Sequence, residues 1–228
     1  GKSFFTNHMV RSYYEQGTHV VLVDVGQSYK GLCDLVGGYY FTYDEQHPIR
    51  FNPFYLSPGD SLDTEKKESM YTLFRSRGKL DYETFGRSEY VALSNALQGY
   101  YDHLLQHLDI FPCFNTFYDY LNQVFVEVLR QEKVKLKDFD IDNFLYVLRP
   151  FYVHGEFDYL LNARENLDLL HQRFIVFELD AIKDHPILFP VVTLIIMEVF
   201  ISKMRKLKGI RKMILIEEAW KAIAREGM

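Results

Sequence analysis

The chain has 228 residues, 48% of them hydrophobic and 25% charged, with a formal net charge of −5. That length suits one large α/β domain or two small ones with a sizeable core, the composition is that of a globular protein, and the acidic balance argues against a broadly basic surface made for nucleic acid. The cysteines are Cys33 and Cys113, both among apolar neighbours, which argues against a disulfide framework and for a reducing compartment.

Gly1-Lys2-Ser3 has the form of the end of a phosphate-binding loop. In such loops backbone N–H groups cradle phosphate, a Lys ammonium reaches the β and γ phosphates, and a Ser hydroxyl ligates Mg²⁺. The upstream half of the loop and its leading strand are not in the sequence, so the chain reads as an excerpt of a longer protein. The run from Phe4 to Gln16 contains no Gly or Pro before Gly17 and predicts a helix. Thr18 to Asp24 is nearly continuously apolar, as expected of a strand covered on both faces. Asp24 then sits at the carboxyl edge of an α/β sheet, where ligands bind, while Ser28 reads as the N-cap of a short helix ending at Gly37-Gly38. Tyr39 to Tyr43 predicts another strand, followed by a loop through Asn52-Pro53 and Pro58-Gly59.

The apolar period then becomes helical, as in Tyr90, Leu93, Leu97, Tyr101, Leu104 and Leu108, and again in Phe117, Leu121, Val124, Phe125 and Val128. This predicts an all-helical insertion over 61–170, between the two parts, 1–60 and 171–228, of one nucleotide-binding domain. His103 and His107 stand four apart without an evident third ligand and read as a solvated helix face. The Tyr and Phe residues, at helical spacing, read as packing groups. Arg173 to Asp180 predicts a strand, and Pro186 to Leu207 a helix buried on a sheet. Its apolar run is too short to cross a bilayer, and the cations from Lys203 onward suit the end of a helix dipole.

Met213 to Ile216 predicts a strand that ends in Glu217 and Glu218. Together with Gly-Lys-Ser these acids supply the second half of an NTP site. Glu217 is the candidate metal contact, direct or through water, and Glu218 the candidate base or water-positioning group. An acid pair is also favoured at the start of a helix for dipolar reasons alone.

Gly1-Lys2-Ser3, the segment Val23 to Tyr29 with Gly37-Gly38, Phe51-Asn52-Pro53-Phe54, and Glu217-Glu218-Ala219-Trp220 together closely resemble the TraG-type conjugation ATPases of conjugative transposons. These are similar to the large traffic ATPases of type IV secretion and to the HerA/FtsK-like P-loop motors. The resemblance implies an α/β P-loop NTPase sheet of RecA-like type with a large helical insertion. It further implies ATP and Mg²⁺ as cofactors, with Gly1, Lys2, Ser3 and Asp24 at the nucleotide, Ser3 and Glu217 at the metal, and Lys2 and Glu218 catalytic. Glu217 departs from the usual pair, in which Asp precedes Glu. The implied setting is the cytoplasmic face of the bacterial inner membrane. The implied partners are like subunits of a homo-oligomeric ring, such as a hexamer, and inner-membrane components of a conjugation channel; direct DNA binding is left open. A nucleotide-gated scaffold and a DNA-translocating pump are the competing readings. The isolated excerpt is expected to be inactive, since half the phosphate loop is missing from it.

Overall fold

Six residues, His19–Asp24, form strand β1, and every one of them is buried. β-branched side chains favour the extended backbone, and an unbroken apolar run is tolerated only where both faces are covered. The structure is a computed structural model that describes residues 2–78 and 86–216, with the backbone alone at 2–3 and 75–78. Helix α1, Lys2–Glu15, precedes β1. After β1 come α2, Lys30–Val36, and β2, Tyr39–Phe41. The helices α3, Thr64–Gly78, α4, Arg87–Gln106, α5, Phe114–Tyr120, α6, Val126–Gln131, and α7, Ile141–Leu148, follow. The chain then supplies β3, Phe174–Glu178, α8, Leu188–Lys206, and β4, Lys212–Ile216.

The chain divides into two units, Gly1–Pro48 with Asp168–Met228, and Ile49–Leu167. The first holds a four-stranded sheet in the order β2-β3-β1-β4, with every pairing parallel. Parallel neighbours need crossovers, and α8 supplies the one that carries the chain from β3 past β1 to β4. Val20, Leu22, Phe174 and Val176 face Val10 and Tyr14 of α1 and Cys33 of α2. The alternate residues Val21 and Ile214 share a hollow with Phe200, Lys203 and Met204 of α8. The sheet therefore has helices on both faces, which is why its strands read as apolar runs and not as alternations.

Close packing fixes the turn between α2 and β2. Gly37 ends α2 in the left-handed region, φ 68°, and a Cβ on Gly38 would stand 2.8 Å from the carbonyl oxygen of Phe174. Both glycines are thus required, one for its φ and one for its lack of a side chain.

In the second unit the described residues form helices and turns and no strand. Its core is aromatic: Phe54 has ring neighbours in Phe74, Tyr100, Phe114 and Phe117. Along α4 the buried stripe is Leu93, Ala96, Leu97 and Tyr100, whereas Tyr90 is 38% exposed and Leu108, beyond the helix end, 86%. The apolar spacing predicts the helix correctly and its buried face partly, because small Ala92 and Ala96 let a neighbour approach where large residues were expected. In the next helical run Phe117, Leu121, Phe125 and Leu129 are all buried at intervals of four. A 3.6-residue helix would rotate such a series off the core. The backbone takes a wider π-turn over Leu121–Phe125 and keeps them on one face.

Asn52, in the Phe51-Asn52-Pro53-Phe54 segment, is a buried structural junction. Its side-chain amide donates to the carbonyl oxygens of Pro112, 2.7 Å, and Ala163, 3.0 Å, and its Oδ1 accepts from the N–H of Phe54, 3.0 Å.

Candidate nucleotide site

The direction of α1 places its first turn. Thr18 and Gly17 turn the chain back on α1 through N–H bonds to Tyr13 and Tyr14, and Arg173, just before β3, donates from Nη2 to the carbonyl of Tyr14. The last turn of α1 therefore lies at the amino edge of the sheet. A 14-residue helix rises about 21 Å, close to the length of a six-residue strand, so its first turn lies toward the carboxyl edge. There the helix dipole and free N–H groups favour an anion. Lys2 and Ser3 open this helix; their side chains, and Gly1, Glu217 and Glu218 entirely, lie outside the described residues. β4 ends at Ile216, level with Val23 of β1.

Asp24 is described in full and is 0% exposed. Its Oδ1 accepts the N–H groups of Val25, 2.9 Å, and Gly26, 3.2 Å, and its Oδ2 that of Ser28, 2.7 Å. The remaining N–H of this loop, on Gln27, donates to Oε2 of Glu178, 2.9 Å. Glu178 stands opposite Asp24 in the β1–β3 register and is 3% exposed. Its Oε1 accepts the N–H of Asp180, 2.9 Å. Burial pushes the Glu178 carboxyl above its ordinary range, the N–H bonds of Asp180 and Gln27 pull it back, and the neighbouring Asp24 pushes it up again.

Ser28 is therefore not the helix cap that its position suggests: α2 starts at Lys30 with Tyr29 at the cap position and no side-chain cap bond. The local carboxyl of Asp24 and the distant one of Glu178 take over the capping task of the loop. Glu178 was not singled out by the sequence reading, although the signal was available. Val20 to Asp24, Phe174 to Glu178 and Met213 to Glu217 are three apolar runs each closed by an acid.

At the opposite, amino edge, Lys203 is not simply a cation at the end of α8. It is 2% exposed, and its Nζ meets His19 Nδ1, 2.9 Å, and donates to the carbonyls of Leu170, 2.9 Å, and Gln172, 2.7 Å. His103 and His107 have ring centroids 4.2 Å apart with the rings tilted at 44°, and among the described residues no group of three or more His, Cys, Asp or Glu could hold a metal ion. Cys33 and Cys113 are free and buried. Among the described residues no helix is long and apolar enough to cross a membrane.

Comparison with known families matches residues 1–228 to the TraG P-loop domain. The chain belongs to that family. It is 21% identical to protein TraC of Escherichia coli (strain K12) over 231 residues, covering 98% of the chain and 24% of TraC. Its fold is shared with VirB4 of Thermoanaerobacter pseudethanolicus, at a TM-score of 0.62 and 18% identity, over all of this chain and 62% of that one. The chain thus spans about a quarter of the length of the curated relative it matches. The resemblance read from the residues and the P-loop α/β class both stand.

Proposed function

We propose that the TraG P-loop chain is the nucleotide-binding core of an ATPase that energises conjugative transfer through a type IV secretion channel, by assembling the channel or moving substrate through it. The observation that carries this reading is the family match over the whole chain, on a sheet whose carboxyl edge receives the first turn of the helix that Lys2 and Ser3 open. In this reading Gly1, Lys2 and Ser3 hold ATP, Ser3 and Glu217 hold Mg²⁺, and Glu218 orients or deprotonates the attacking water. Asp24, enclosed and bound by the loop that follows it, serves the nucleotide through that loop and not by direct contact. Mg²⁺ would screen charge on the transferring phosphoryl group. The working form is a homo-oligomeric ring at the cytoplasmic face of the inner membrane, docked on channel components.

The test is Mg²⁺-dependent phosphate release by the intact protein, with and without single- or double-stranded DNA. DNA-independent turnover is expected, in keeping with the net charge of −5. ATP binding without turnover would favour a nucleotide-gated scaffold, and turnover that requires DNA a translocating pump.

A further inference from the structure

Four consecutive backbone N–H groups, from Val25 to Ser28, all end on two buried carboxyl groups that stand opposite each other on β1 and β3. Such a run of N–H groups is ordinarily a receptor for an external anion; here the protein fills it from within. We propose that Asp24 and Glu178 are the positioning pair of the nucleotide site, sharing one proton so that a single negative charge holds the Val25–Ser28 loop in place at the carboxyl edge of the sheet. This rests on the ATPase reading above.

Three observations support it. Two adjacent carboxylates, both enclosed, would repel strongly if both ionised, whereas a carboxylic acid on Glu178 can donate to Asp24 and still offer both oxygens to Gln27 and Asp180. Gln27 holds φ 57°, a left-handed backbone that is disfavoured for a non-glycine residue, and its N–H is the one bound by Glu178. Gly26, Gln27 and Ser28 are exposed residues whose amides are nonetheless tied down, so the pair fixes what the loop presents to the edge without touching it. The titratable groups facing Glu178 are Asp24 on β1 and Tyr40 on β2, whose phenol is pushed up to about 12 by burial, then by Glu178 and Asp24. Asp180 follows β3, and Lys30 of α2 lies over the Tyr40 ring at 5.0 Å.

The sign follows from the raised carboxyl. Glu178 favours its proton in the folded chain, so the pair is intact at lower pH and fails as pH rises through its titration, when two charges face each other and the loop loosens.

The experiment compares wild type, Glu178→Gln and Glu178→Ala in the intact protein, measuring MgATP affinity and kcat across the whole pH range in which the protein stays folded, with thermal unfolding alongside. Glu178→Ala should lower kcat about tenfold or more, the scale of a misplaced group near the chemistry. Glu178→Gln, which keeps an acceptor oxygen for Gln27 at the expense of the bond from Asp180 and cannot ionise, should recover part of that loss and remove the decline in kcat expected of wild type as the pair titrates. Superimposable pH profiles for wild type and Glu178→Gln would overturn the shared proton. Wild-type kcat in Glu178→Ala would overturn the positioning role. A wild-type protein that does not bind MgATP overturns the ATPase reading and the pair's role with it, whereas intact wild-type binding confines either other failure to the pair.

Discussion

Asn52 and Asn166 clasp each other: the backbone N–H of Asn52 donates to Oδ1 of Asn166 at 2.8 Å, and Nδ2 of Asn166 donates back to the carbonyl of Asn52 at 2.9 Å. One residue lies near the start and the other near the end of the Ile49–Leu167 unit. The reciprocal bonds bring its entry and exit together, the condition under which a segment can be excised with short ends.

Asn52 is 1% exposed, and its amide must be a donor at Nδ2 and an acceptor at Oδ1. Asn52→Asp keeps the shape but sets a carboxylate oxygen against two carbonyls. It is expected to destabilise at least as much as Asn52→Ala, about 2–4 kcal/mol, from buried groups left without partners. Urea unfolding of the intact protein checks this, and an Asp variant close to wild type would show that the amide's polarity does not matter. If the unit is separable, as we propose, residues 49–167 expressed alone should show cooperative unfolding.

The His19–Lys203 contact sets a pH dependence. His19 is held below its ordinary 6.5 by burial first and by the Lys203 ammonium next, and burial holds Lys203 down at about 8. Both groups favour the neutral base in the fold, so the unfolded chain binds more protons. Stability therefore falls as pH drops, from Lys203 between about 10.5 and 8, and from His19 as pH falls below 6.5 toward its lowered value. His19→Asn, whose Oδ1 can replace Nδ1 as acceptor for Lys203, should flatten the acid limb attributable to His19. Unfolding midpoints against pH measure it, and an unchanged acid limb would assign that limb to other groups.

Lys2→Ala in the intact protein should abolish phosphate release, because the proposal gives the ammonium at the β and γ phosphates to Lys2 alone. Thermal shift with MgATP provides the second readout, with the wild-type stabilisation expected to shrink. Undiminished turnover in the purified variant would remove Lys2 from the site.

The sheet was legible in sequence because its two central strands, β1 and β3, are buried along their whole length, and Val20–Val23 and Ile175–Phe177 show it without interruption. Gly37 was legible as a helix stop for its φ. What local sequence could not show was long-range capture of backbone N–H groups. Gln27's amide is taken by a glutamate 151 positions away, whereas Ser28, which has the look of a cap, gives its amide to Asp24 only four residues earlier. Lys203 has the look of a solvated helix end, yet the carbonyls of Leu170 and Gln172 converge on it. The run from Phe117 was read as ordinary helical spacing, and the π-turn at Leu121–Phe125 shows only in the four-residue interval that carries on to buried Leu129.

The division of labour between the two terminal acids is the centre of the proposed chemistry, and Glu218→Gln tests it most directly. In the intact protein this variant should bind MgATP as wild type does while phosphate release drops about 10²-fold or more, the scale of a lost general base. Glu217→Gln, measured beside it, should weaken the Mg²⁺ dependence as well. Full turnover in Glu218→Gln, with turnover lost and binding retained in Glu217→Gln, would contradict the assignment and exchange the two roles.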